Sequence, residues 1–255
     1  MLGLVNSAND WQWAVYGKHP VAKDYVSLCE YLPLVKTFSN WIDKGYQLVR
    51  PQGNPAPRYC SWRFWAGGSR GDTLACGLLR DSRDGVGRPY PFLILGSGSL
   101  NQWNEHWDLL PFACEKAWGR MENASVRTYE TLRNLEDEIR KISPPYPQWL
   151  EFVKQKESLW EAHDASGNKG FQDIVATIAE QVRSMENAAE LFIPLNQWAL
   201  FDPFALVSCW HSLLKVHQKE TPNVVFMGGT PDSVCLAVFK RPLVPNDFVR
   251  LWFGG

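Results

Sequence analysis

The chain has 255 residues, of which 45% are hydrophobic and 21% charged, close to globular averages, so disorder and low-complexity repeats are excluded as overall descriptions. Its 26 Lys and Arg nearly balance its 27 Asp and Glu, giving a net charge of −1, and no basic run stands out. A dedicated nucleic-acid binder is therefore not expected.

The opening MLGLVNSANDWQW has no basic stretch, no continuous apolar stretch and no A-x-A site, so no secretory leader is expected. Aromatic alternation predicts strands at Trp11–Tyr16 and Ser61–Trp65. Between them, Leu32, Val35, Phe38, Ile42, Gly45 and Leu48 recur at helical spacing. Gly67–Gly71 reads as a hairpin loop, followed by strands at Thr73–Leu79 and Pro91–Leu95 around the turn-rich Asp81–Arg88. A helix is expected from Asn101 as N-cap, carrying Trp103, Trp107, Leu110, Cys114 and Ala117 on one face. Pro111 either kinks that helix or marks its true start.

Tyr129, Leu132, Leu135, Ile139 and Ile142 form another helical stripe, with Glu136–Arg140 and Asp137–Lys141 as pairs on its wet side. The proline-rich Ser143–Pro147 ends it. Helices are then expected over Trp149–Trp160 and, after the polar loop Asp164–Gly170, over Phe171–Met185. The apolar region Leu191–Trp210 is broken by Pro194, Asp202 and Pro203, so no membrane insertion is expected. Ala205–Trp210, Val224–Met227 and Val234–Phe239 read as strands, with Gly228–Asp232 as a turn. Phe248–Phe253 is a closing helix or an apolar tail. The expectation is one compact α/β domain over residues 1–255, a mixed β-sheet covered by helices on both faces. Its helical middle spans 101–190, and its C-terminal strands and tail span 196–255.

Six Cys form no C-x-x-C pair, and no His stands beside them at zinc-ligand spacing. They read as small buried hydrophobes of a reduced, cytoplasmic protein. The five His fall in no metal motif, and no Ser lies in G-x-S-x-G. No catalytic constellation, cofactor or metal is expected. The 13 Trp are unusually many. Most are expected in the core, with some as exposed partner anchors or stacking platforms.

Two segments concentrate polar chemistry. Gly17–Tyr25 leaves the first strand and is expected to enter a helix near Asp24, the candidate N-cap. Asp81–Pro91 holds two turn glycines and Arg88, placed to pair with Asp84 or Asp81. Each is either a tight structural connection or a polar docking surface.

Read together, these segments resemble the TagF (ImpM) family associated with bacterial type VI secretion. The resemblance rests on Tyr16-Gly17-Lys18-His19-Pro20, Asp24-Tyr25-Val26, Ser61-Trp62-Arg63-Phe64 and Ser82-Arg83-Asp84-Gly85-Val86-Gly87-Arg88-Pro89-Tyr90-Pro91, with Trp41 in place, across residues 13–95. Ser208–Ser212 and Phe248–Gly254 echo the family's ending. Ala22-Lys23-Asp24 and Arg241-Pro242-Leu243 depart from its pattern. The resemblance implies a three-layer α/β/α sandwich and a cytoplasmic, non-catalytic accessory protein. It further implies a post-translational repressor of assembly that binds a forkhead-associated-domain protein of the same system. Lys18, Asp24, Arg63, Ser82, Asp84, Gly87 and Arg88 are then a docking surface or the network that shapes it. The alternative is a small-molecule or phosphate-binding module in which Lys18, Ser82 and Arg88 gather around an anion near the loop Gly67–Gly71.

Overall fold

In the computed structural model, which describes residues 11–28, 33–49, 59–68, 71–165, 170–196, 202–218 and 220–253, the aromatic alternations become neighbouring strands of one sheet. Its strands are β1 (Gln12–Lys18), β2 (Tyr25–Leu28), β3 (Ser61–Gly67), β4 (Thr73–Arg80), β5 (Phe92–Ser99), β6 (Glu190–Pro194), β7 (Val224–Thr230) and β8 (Ser233–Phe239). The order across the sheet is β2-β1-β5-β4-β3-β7-β8-β6. Every pairing is antiparallel, so the sheet is antiparallel throughout rather than mixed.

Helices cover both faces, as expected for an α/β sandwich of three layers. Within β3, Trp62, Phe64 and Ala66 turn to one face and Trp65 to the other. The first face packs against α1 (Pro33–Val49) and α7 (Pro245–Phe253). These two helices approach so closely that a Cβ on Gly45 would lie 2.3 Å from Phe248 Cβ. Indole donors tie that layer together: Trp41 Nε1 to the Val244 carbonyl at 2.9 Å and Trp62 Nε1 to the Leu251 carbonyl at 3.1 Å.

The second face carries α2 (Leu110–Val126), α3 (Leu132–Arg140), α4 (Trp149–Ala165), α5 (Gly170–Ser184) and α6 (Pro203–His217). At its centre Trp65 Nε1 donates to His211 Nε2 at 3.3 Å, while His211 Nδ1 donates to the Val207 carbonyl at 2.8 Å. Beside it the buried Asp108 accepts from Lys156 Nζ at 3.1 Å and Lys215 Nζ at 2.6 Å.

Several expectations are corrected. Ala205–Trp210 lies inside α6, which Asp202 caps by accepting from the Ala205 N–H at 2.8 Å, with Pro203 in the first turn. Residues Ala205–His211 are all buried, so the helix shows the mostly apolar run of a buried strand, with only Ser208 and His211 polar. Asp24 caps no helix; its carboxylate accepts from the Tyr25 N–H at 2.9 Å and the chain enters β2. Asn101–Trp103 is a turn with Gln102 at φ +60°, and α2 begins at Leu110 after a 3-10 turn at Trp107–Leu109, so Pro111 marks the true start. β6 straddles the expected boundary at 190–196. β5 continues through Gly96 and Gly98, because Trp13 and Trp11 fill the space those glycines leave.

Leu32 lies outside the described residues, and Leu48 is exposed while Val49 is buried. Lys141 pairs with Glu138 at 2.8 Å rather than with Asp137. Gly228–Thr230 belongs to β7, leaving Pro231 and Asp232 as the turn, and Phe248–Phe253 is helical. Of the 13 Trp, nine are buried, three are half-buried and Trp198 lies outside the described residues. No described Trp is an exposed anchor.

Candidate functional site

Both polar segments meet at one corner of the sheet, beside the edge formed by β2 and β1. Gly17, at φ +116°, brings its Cα against the Pro91 carbonyl, and the Lys18 N–H donates to that carbonyl at 3.2 Å. The close approach carries the buried Lys18 side chain onto Asp84, with Nζ 3.0 Å from Oδ2 and 5.3 Å from the centroid of Tyr25.

Asp84 is the hub. Its Oδ1 accepts from the N–H groups of Val86 at 3.1 Å and Arg88 at 2.9 Å, and its Oδ2 accepts from Arg88 Nε at 2.7 Å. Gly87 turns the chain at φ +88°, which lets its N–H reach the Asp84 carbonyl at 2.9 Å. Burial pushes the Asp84 carboxyl up, while hydrogen bonds from Arg88, Lys18 and Val86 pull it down. The bonds prevail and hold it well below the usual carboxylate range.

Arg88 then clamps the turn to the other segment, donating from Nη2 to the Lys23 carbonyl at 2.5 Å, with Asp24 at 3.9 Å. The Gly85 N–H reinforces the clamp by donating to the Ala22 carbonyl at 2.7 Å. The structure therefore gathers Lys18, Asp24, Asp84, Gly87 and Arg88. Ser82 contributes its carbonyl, which accepts from the Tyr90 N–H at 3.0 Å.

Arg63 stands apart on the other face of the sheet, bonded to Glu115 and Glu122 of α2. The cations of the corner converge on the Asp84 carboxylate rather than on open space, which leaves the anion reading without a basin. In the loop Gly67–Gly71, Ser69 and Arg70 lie outside the described residues, while β3 and β4 on either side pair antiparallel.

Sequence reasoning missed the aromatic wall beside this corner. Tyr16 and Tyr90 both donate to Asp43 Oδ1 on α1, the former at 2.7 Å. Tyr25 and Tyr46 set their rings edge-on to Tyr90 at 4.8 and 4.7 Å. Burial, followed by the bond to Asp43, pushes both the Tyr16 and Tyr90 hydroxyls above the usual phenol range. Three of these tyrosines lie in the quoted motifs; Asp43 gave no signal, since a carboxylate in an amphipathic helix reads as its wet face.

The rim is exposed at Lys23, Asp24, Tyr25, Arg83, Val86 and Arg88. Tyr, Arg and an apolar tip on a rigid base suit protein contact. Among the described residues no group of His, Cys, Asp and Glu could hold a metal ion, and no helix is long and apolar enough to cross a membrane.

Fold and corner together define an antiparallel α/β sandwich with a locked polar turn at one sheet edge. The chain belongs to the TagF family: residues 14–142 match the TagF N-terminal domain, Type VI secretion system-associated. Its fold is similar to the crystal structure of PA0076 from Pseudomonas aeruginosa PAO1. The TM-score is 0.53 at 16% identity, covering 96% of this chain and 95% of that one. No curated protein matches the sequence. The family assignment makes this a type VI secretion-associated accessory protein.

Proposed function

We propose that the protein acts without catalysis, as a cytoplasmic post-translational repressor of type VI secretion assembly that binds a protein component of the system, a forkhead-associated-domain protein. The observation that carries this reading is the Asp84 hub. It spends two cations and two N–H groups on holding a turn in shape, and the product is a rigid exposed rim rather than a cavity around a reactive group. The Tyr16 and Tyr90 hydroxyls are held against ionisation, and Lys18 is neutralised by its carboxylate.

The test is a pull-down of the forkhead-associated protein encoded with this chain, comparing wild type with Tyr25→Ala, Val86→Asp and Arg88→Ala. Circular dichroism of each variant guards against unfolding. Loss of binding in folded rim variants supports the reading. Failure of the wild type to bind sinks it, and retention by all three variants moves the interface away from this corner.

A further inference from the structure

A second feature lies on the other face of the sheet, beyond its midline. Arg63 and Met227, on the neighbouring strands β3 and β7, floor a cleft of about 540 Å³ walled by α2 and the start of α6. Trp118, Pro203, Phe204, Val207 and Val234 supply its apolar lining. The charged residues around it are Arg63, Glu115, Glu122 and Asp202, so three carboxylates face one guanidinium.

The guanidinium is committed to α2, each of its three nitrogens donating to a carboxylate there. Arg63 donates from Nε and Nη2 to Glu122 at 2.7 and 2.8 Å and from Nη1 to Glu115 Oε2 at 2.8 Å, with its head 5.9 Å from the Trp118 ring centroid. Asp202 uses Oδ2 on the α6 cap. Among the described residues no donor reaches Glu115 Oε1 or Asp202 Oδ1.

We infer that this cleft receives an arginine side chain carried by an apolar segment of a partner protein. The volume falls within the range of ligand clefts. The excess charge is negative and the walls are apolar, matching a guanidinium on a greasy stem. Arg63 already shows that the Trp118 wall and the α2 carboxylates accept that group. Burial raises the Glu115 carboxyl despite Arg63, and Glu122 and Asp202 push it further up; an arriving cation relieves both effects. The inference does not rest on the proposed repressor role, because this cleft and the Asp84 corner share no residue.

The experiment titrates the full chain with the peptide acetyl-Leu-Arg-Leu-amide by NMR, and with the same peptide bearing citrulline for arginine. The expected result is binding of the arginine peptide, weakened about tenfold by citrulline and similarly by Glu115→Gln or Asp202→Asn. The asparagine keeps the helix cap, so that variant stays folded. Arg88→Ala is expected to bind the arginine peptide as wild type does. Equal affinity for the citrulline peptide, unchanged affinity in both carboxylate variants, loss in Arg88→Ala, or no binding at millimolar peptide would overturn the inference.

Discussion

Gly17 lies so close to Pro91 that a Cβ on the glycine would sit 2.0 Å from the proline's carbonyl oxygen. The contact fixes where Lys18 leaves the strand, and so where Asp84 finds its buried partner. Gly17→Ala combines this backbone clash with a φ of +116° and is expected to cost about 3 kcal/mol. Urea unfolding measures it; a loss below about 1 kcal/mol would show that the corner yields easily.

Asp84 and Arg88 should separate under mutation. Asp84→Ala strands the buried Lys18 ammonium and is expected to lower Tm by about 10 °C. Arg88, half-exposed, leaves Asp84 still bonded to Lys18 and the turn N–H groups, so Arg88→Ala should lower Tm by only about 2–4 °C. Equal losses in a thermal scan would contradict the hub arrangement.

Acid sensitivity follows from two buried imidazoles. Burial lowers both His19 and His211 from 6.5 to about 4, in His19 with help from Arg80. The folded chain therefore binds these protons more weakly than the unfolded one. Their stabilising share is full above about pH 6.5 and is lost as pH falls toward 4, for His211 by up to about 1.4 kcal/mol per pH unit. Asp84, held low, loses its share as pH falls through the usual carboxylate range and on below it, so its window lies mostly beneath that of the histidines. His211→Gln should flatten the upper window in pH-dependent urea titrations; an unchanged slope would refute the assignment.

Much of this architecture was legible in the sequence. Val35, Phe38, Ile42 and Gly45 declare α1, and the alternation in Ser61–Trp65 declares β3. Lys18, Asp84 and Arg88 stood out as turn chemistry and do meet. What stayed hidden depends on partners distant in the chain. Burial on all sides makes α6 look like a strand. Gly96 and Gly98 fall past the expected strand end at Leu95, and only Trp13 and Trp11 packed over them show why the strand runs on. Asp43 and Asp108 are ordinary carboxylates until three-dimensional packing supplies Tyr16 and Tyr90 to one, and Lys156 and Lys215 to the other.

Asp108 offers a further check. Asp108→Ala leaves two ammonium groups facing each other across α4 and α6, one of them, Lys156, mostly buried. A loss of about 2–4 kcal/mol is expected by chemical denaturation. A matching Asp108→Asn loss below about 1 kcal/mol would show that hydrogen bonding, not charge, holds the pair.

The indoles give an inexpensive solution test. With nine Trp buried and three half-buried among the described residues, iodide should quench the folded protein far less than the urea-unfolded chain. Comparable quenching in the two states would mean that the Trp-lined layers are open to solvent.

The pairing of β3 with β7 and of α1 with α7 makes the first and last parts of the chain inseparable. A fragment ending at residue 142 would keep every residue matched to the N-terminal domain, yet β3 would become a raw edge and the Trp41–Phe38 side of α1 would lose Phe248 and its neighbours. The segment recognisable by sequence is thus not a unit of folding. During synthesis the Gly45 side of α1 stays uncovered until α7, far later in the chain, has been made.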